Sequence, residues 1–123
     1  MAKGQKPVRY GGDLPPQVRN IVCGHLLDYG RRERIVAGAF RRGDSMLRLQ
    51  LYNKGIDRAI DQAFSAHGIV GEAARLVRRD ILEVASGRGA RCVNGCGAML
   101  SRWSYVAVRE DVLFFAAREM GLI

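Results

Sequence analysis

The stretch that decides the fold runs from residue 70 to residue 84: Val70-Gly-Glu-Ala-Ala74-Arg-Leu-Val77-Arg-Arg-Asp-Ile81-Leu-Glu-Val84. Val70, Ala74, Val77, Ile81 and Val84 recur every three or four residues, the period that lays one apolar stripe along an α-helix. Ser86-Gly87 and the loop Gly87-Arg88-Gly89 close it. Upstream, Arg41-Arg42-Gly43-Asp44 is a turn signal with Asp44 placed to cap a helix, and Leu49, Tyr52, Ile56, Ile60 and Phe64 form its stripe. Gly55 is a soft spot in that helix, which ends near His67-Gly68. Further upstream, Asp13 is a candidate N-cap, with Pro15 and Pro16 in first-turn positions where proline is tolerated. Val18, Ile21, Val22, Leu26 and Tyr29 give the stripe; Gly30 ends or weakens the helix, and Arg31–Val36 extends it toward Phe40. Downstream come two shorter segments, about 92–99 and 102–120. The second carries Val106, Val108, Leu113, Phe114, Ala117 and Met120 on its apolar side. No stretch alternates as a half-buried strand does. The expected fold is all-α, with about five helices: a basic, flexible arm over residues 1–12 and a single domain over 13–123.

Composition fits that expectation. The chain has 123 residues, 48% hydrophobic and 26% charged, enough for one modest core and too apolar for a disordered chain. It is basic, with 20 Lys and Arg against 12 Asp and Glu, a formal +8. Seventeen of the cations are Arg, whose planar fork suits phosphates and base edges. The same richness also describes a merely well-solvated surface. Charge is uneven: residues 1–42 hold nine cations and three acids, residues 71–123 eight and six.

Several classes fall away. No apolar run approaches a membrane span, and Met1–Lys6 leads into no signal-peptide core. Cys23, Cys92 and Cys96 are too few for a disulfide framework, so a reducing cytoplasm is the expected location. Phosphate-loop, dinucleotide and His-Glu-x-x-His motifs are absent.

The segment Cys92 to Val108 has the spacing of a helix-turn-helix. Gly95 or Cys96 supplies the small residue at the helix crossing, Leu100 the apolar turn position and Ser101 the N-cap. Tyr105 and Val108 then point inward, leaving Arg102, Trp103, Ser104 and Arg109 toward the groove. Helical hairpins in bundles share this spacing, and Met99 stands where the turn often has glycine.

Over about residues 17–123 the chain resembles the small phage and prophage transcription regulators of the ArpU/RinA type. The resemblance rests on Leu27-Asp28-Tyr29 and Asn53-Lys54-Gly55-Ile56-Asp57-Arg58-Ala59-Ile60, followed by the helix Val77-Arg78-Arg79-Asp80-Ile81-Leu82. It rests further on Leu100-Ser101-Arg102-Trp103-Ser104-Tyr105 and Phe114-Phe115-Ala116-Ala117-Arg118-Glu119-Met120-Gly121-Leu122-Ile123. It implies an all-helical protein whose C-terminal part is similar to the promoter-reading domain of sigma factors, with host RNA polymerase as a partner. Phage antiterminators of the Q type are neighbours of this reading. Two features depart from the family pattern. Val106-Ala107-Val108 stands where its recognition helix is rich in Lys and Arg, and the Ser86–Arg91 loop is glycine-rich.

Cys92 and Cys96 form one zinc-type pair without a second, so a metal site is not expected, and no other cofactor is implied. His25 reads as a core or interface histidine and His67 as a helix-end residue. Asp57 and Asp61, beside Arg58, read as a solvated face without a third ligand for magnesium. No nucleophile elbow is present, and no enzyme is expected.

The sequence therefore points to a transcription regulator that binds double-stranded DNA as a monomer or homodimer, activating or antiterminating late transcription. The expected DNA contacts are Arg88, Arg91, Ser101, Arg102, Trp103, Ser104 and Arg109, with a second basic patch at Arg31, Arg32, Arg34, Arg41 and Arg42. The rival class is a phage assembly or packaging protein, a DNA-binding subunit of the small-terminase kind.

Overall fold

The computed structural model describes residues 8–38, 44–83 and 102–123, with the side chains of residues 44–46, 83 and 102 left aside. Among the described residues all regular structure is helical. The helices are α1 (Pro16–Leu27), α2 (Tyr29–Ala37), α3 (Asp44–His67), α4 (Gly71–Glu83) and α5 (Arg102–Glu119). Four of the five expected helices are thus found, the first of them broken in two, while the segment expected at 92–99 lies outside the described residues. The helix-turn-helix expected over 92–120 falls partly there as well. Only its second helix is described.

The break comes at Asp28 rather than at Gly30. Asp28 stays near helical geometry, with φ −82° and ψ −5°, and its N–H still reaches the Gly24 carbonyl at 3.1 Å. Its carboxylate accepts from Arg31 Nε and Nη2 at 3.3 and 3.2 Å, a pair three residues apart of the kind that holds neighbouring turns together. At the other end, α1 begins with Pro16 at its first position and no side-chain cap, so Asp13 does not serve as one.

α3 ends where expected. Gly68 takes φ +70°, and Ile69 N–H closes onto the Phe64 carbonyl at 2.9 Å. Gly71 at φ +64° follows, so both bends between α3 and α4 fall on the residue type that adopts left-handed backbone without strain. α5 stops in the same way, with Gly121 at φ +72° and Leu122 N–H on the Ala117 carbonyl.

The core lies between α3 and α5, which form the largest helix pair, with α1 and α4 set against it. α3 contributes Ile56, Ala59, Ile60, Ala63 and Phe64, and α1 and α4 add Val22, Leu26, Val77 and Ile81. From α5 come Tyr105, Val108, Val112, Leu113, Phe115, Ala116 and Ala117. From Tyr105 to Ala117 no residue of α5 is exposed. The helix is enclosed on all sides along its middle, its polar residues Arg109, Glu110 and Asp111 included.

Candidate nucleic-acid interface

The start of α5 is where the sequence places base contacts, and its side chains divide sharply. Tyr105 and Val108 are buried, Trp103 is 64% exposed and Ser104 is half-buried. Three to four residues make a turn, so a helix enclosed from Tyr105 onward offers a partner only its first turn. Arg109 is half-buried, and its Nη2 donates to Oε1 of Glu110, its neighbour on α5, at 3.3 Å, while Arg19 of α1 binds the other carboxylate oxygen. Burial alone raises the Glu110 carboxyl, but Arg19 and Arg109 outweigh it and hold the group below the usual range. Arg109 Nε is buried and meets no acceptor among the described residues. The link between α1 and α5 is the Arg19–Glu110 pair, which Arg109 flanks.

The second basic patch also divides. Arg31 is exposed and paired with Asp28 at 3.2 Å; Arg34 is exposed with no ion pair among the described residues. Arg32, expected beside them on the surface, is only 3% exposed. Its Nε donates to Asn53 Oδ1 at 2.8 Å and its Nη2 to the His25 carbonyl at 2.5 Å; Asp28 lies 4.0 Å away. A guanidinium held this way is not available to phosphate. Arg41, Arg42, Arg88, Arg91, Ser101 and the Cys92/Cys96 pair lie outside the described residues, as does the Arg102 side chain.

The structure also assembles a cluster that no motif announced. Asp111, fully buried on α5, accepts Arg9 Nε at 2.6 Å, the N–H groups of Tyr10 and Gly11 at 3.0 Å each, and His67 Nε2 at 2.7 Å. Burial raises this carboxyl too, yet the four donors win and hold it below its ordinary value. The Tyr10 ring stands edge-on to His67, centroids 4.9 Å apart. Gly11 lies on Phe114, where a methyl group would come within 2.6 Å of the ring. Residues 8–12, expected as part of a free arm, are therefore a strap tied to the bundle. His67 ends α3 as expected, with Asp111 as its partner.

Asp57 is not a simple solvated face either. It accepts Tyr29 Oη and Arg78 Nη2, both at 2.7 Å. Burial, followed by this bond to Asp57, raises the Tyr29 phenol well above its ordinary value, so Tyr29 stays protonated and donates. An open groove of about 400 Å³ runs beside this cluster between α2 and α3, lined by Glu33, Val36, Ala37, Gln50, Asn53, Lys54 and Asp57. His25 is half-buried and stacks on Tyr52 at 4.6 Å. Among the described residues no three His, Cys, Asp or Glu side chains converge as metal ligands, and no helix is long and apolar enough to cross a membrane.

Taken together, the ion pairs sort the charges. Asp28, Asp57, Glu72, Asp80, Glu110, Asp111 and Glu119 are each engaged by arginine. Arg34, Arg48, Lys54 and Arg118 are exposed and meet no acid among the described residues, although Arg118 lies over Phe114 at 5.0 Å. The three stretches outside the described residues carry Lys3, Lys6, Arg41, Arg42, Arg88 and Arg91, and no acid at all. No protein-family model, curated protein or solved structure matches the chain.

Proposed function

We propose that the protein binds duplex DNA and serves as a transcription regulator of the small phage and prophage type. The observation that supports this reading is the segregation of charge. Seven acids of the helical body, among them all the buried ones, are paired with arginines, and Asp13, Glu33 and Asp61 stay exposed. The stretches outside the described residues carry six cations and no acid, and further cations are exposed on α2, α3 and α5. A surface arranged only for solubility has no need to separate the two signs. In this reading Arg88 and Arg91 contact phosphates, and base reading is confined to Arg102, Trp103 and Ser104 in the first turn of α5. Arg19 of α1 holds α5 just beyond that turn through Glu110, with Arg109 on the same carboxylate. Host RNA polymerase enters as a partner through the family resemblance.

The test is a titration of labelled duplex DNA by fluorescence anisotropy at several salt concentrations. Affinity is expected to fall by about 0.9 decades per decade of salt for each phosphate contacted. Arg88→Ala and Arg91→Ala should each lower that slope by about one contact, whereas Arg102→Ala should relax preference at one base pair and cost about 1–3 kcal/mol. Affinity that stays constant between low and physiological salt overturns the reading.

A further inference from the structure

The groove between α2 and α3 changes in kind along its length. At one end Tyr29 of α2 donates to Asp57 of α3. Glu33, one turn after Tyr29, lies near the same hydroxyl and helps to raise its phenol. At the other end stand Val36 and Ala37, from the last turn of α2, and Gln50, which is about 10 Å along α3 from Asp57 at 1.5 Å per residue. Asn53 makes a fixed floor. It is buried, and both ends of its amide are engaged, Oδ1 by Arg32 and Nδ2 by the Tyr29 carbonyl. The volume of about 400 Å³ lies within the range of sites for small molecules.

The walls carry charges that are not matched to one another. Asp57 Oδ1 takes both the Tyr29 hydroxyl and Arg78 Nη2, while Oδ2 has no hydrogen-bond partner among the described residues. Lys54 stands three residues before Asp57, a spacing at which opposite charges on a helix pair readily. No ion pair forms between them, because Tyr29 and Arg78 hold the carboxylate on their side. Glu33 and Lys54 both line the groove, both are exposed, and neither meets an opposite charge among the described residues. Two acids, Glu33 and Asp57, and two bases, Lys54 and Arg78, sum to zero, yet Asp57–Arg78 is the one ion pair they make. A ligand with a single charge satisfies either Glu33 or Lys54 and is repelled by the other. Phosphate in particular would face two carboxylates. A zwitterion satisfies both walls, and an apolar chain on it has Val36 and Ala37 to lie against.

We infer that the groove binds a free α-amino acid with an aliphatic side chain, its ammonium between Glu33 and Asp57 Oδ2, its carboxylate on Lys54 and its side chain on Val36 and Ala37. The inference goes beyond DNA binding and does not depend on it. The test is an NMR titration of the isotope-labelled full chain with L-leucine, with L-leucinamide, which lacks the carboxylate, and with 4-methylpentanoate, which lacks the ammonium. L-Leucine should shift amide signals of α2 and α3 saturably, with a Kd of about 1 mM for so small a ligand. Both analogues should bind at least about tenfold more weakly. Glu33→Gln should abolish the preference for leucine over 4-methylpentanoate, and Lys54→Gln the preference over leucinamide. Because both positions are exposed, the melting temperature of each variant should match the parent. No saturable shift, equal affinity for the three compounds, or leucine binding that both variants retain overturns the inference. Leucinamide or 4-methylpentanoate binding as tightly as leucine also overturns it, and assigns the groove to a simple cation or anion. Lys54→Gln that lowers duplex DNA affinity, with leucine leaving the spectrum unchanged, overturns it in favour of nucleic acid.

Discussion

Asp111 and Arg32 are both charged, both buried, and solvated in opposite ways. Asp111 meets charge and hydrogen bonds together: Arg9, His67 and two backbone N–H groups converge on its two oxygens. Arg32 meets mainly neutral oxygens, the Asn53 amide and the His25 carbonyl, with Asp28 at the edge of ion-pair range. Burial consequently dominates at Arg32 and lowers its pKa, whereas at Asp111 the partners prevail and the carboxyl is easier to ionise than in water. The difference teaches what each charge holds. Asp111 gathers three separate parts of the chain, namely the strap, the end of α3 and the middle of α5. Arg32 joins α2 to α1 and α3, and Asn53 completes that lock by donating to the Tyr29 carbonyl at 3.1 Å.

The comparison can be broken most sharply at Asp111. Asp111→Ala strands a guanidinium, a histidine and two N–H groups, and should cost about 3–5 kcal/mol in chemical denaturation. A variant as stable as the parent would refute the strap's anchorage. Acid probes the same site without mutation. Because the folded-state pKa of Asp111 is depressed, its stabilisation is present above the unfolded value of about 3.9 and is lost as pH falls below it. Glu110, also depressed, adds a loss in the same direction, so stability should decline from about pH 4.5 downward, and Asp111→Ala should flatten part of that decline.

Arg32→Met should cost less, about 1–3 kcal/mol. It removes the buried charge along with its bonds and leaves only neutral acceptors unpaired. If it destabilises more than Asp111→Ala, the contrast between the two sites is wrong. Gly11→Ala comes next. Its methyl group meets the Phe114 ring at 2.6–2.9 Å, so the strap or the ring must shift, at about 1–2 kcal/mol. Phe114→Leu in the same chain should recover part of the loss. Glu72→Gln is the smallest: Glu72 and Arg75 form an exposed pair within one turn, and the melting temperature should not change.

Much of the fold was legible because helices write their period into sequence. Val77 and Ile81 are buried as their stripe requires, and α3 runs from Asp44 to the bend at Gly68. Periodicity misled where a helix overhangs or is enclosed. Tyr52 is 41% exposed despite lying on its stripe, because α5 ends before reaching it. On α5 the expected stripe omitted Val112, Phe115 and Ala116, which are buried because this helix has no solvent face along its middle. The polar architecture was less legible. Arg32 sits in a run of charges that reads as solvated, and its only signal is its place three residues after buried Tyr29, on the same helical face. Asp111 gave no signal, since its partners at positions 9–11 and 67 are joined to it only by the tertiary fold. For the candidate interface the charge asymmetry was legible in the sequence, and the structure adds the burial and hydrogen bonds that withdraw Arg32 and the contact with Glu110 that engages Arg109.

The strap also has a kinetic meaning. Its bonds to Asp111 span 100 to 102 residues of chain, a longer reach than any other hydrogen bond among the described residues, the next being Arg19 to Glu110 over 91. Contacts of such separation form only after the intervening chain is ordered, because loop closure costs entropy before it returns any bonding. The strap is therefore the last part of the described structure to be secured and the first to come away. In native-state hydrogen exchange the Tyr10 and Gly11 amides should open at a lower free energy than those of α3, as a separate unit. Each such opening leaves Asp111 with His67 as its remaining side-chain donor and uncovers Phe114, so the bundle spends a small fraction of its time with the N-terminal strap released and the middle of α5 accessible to water.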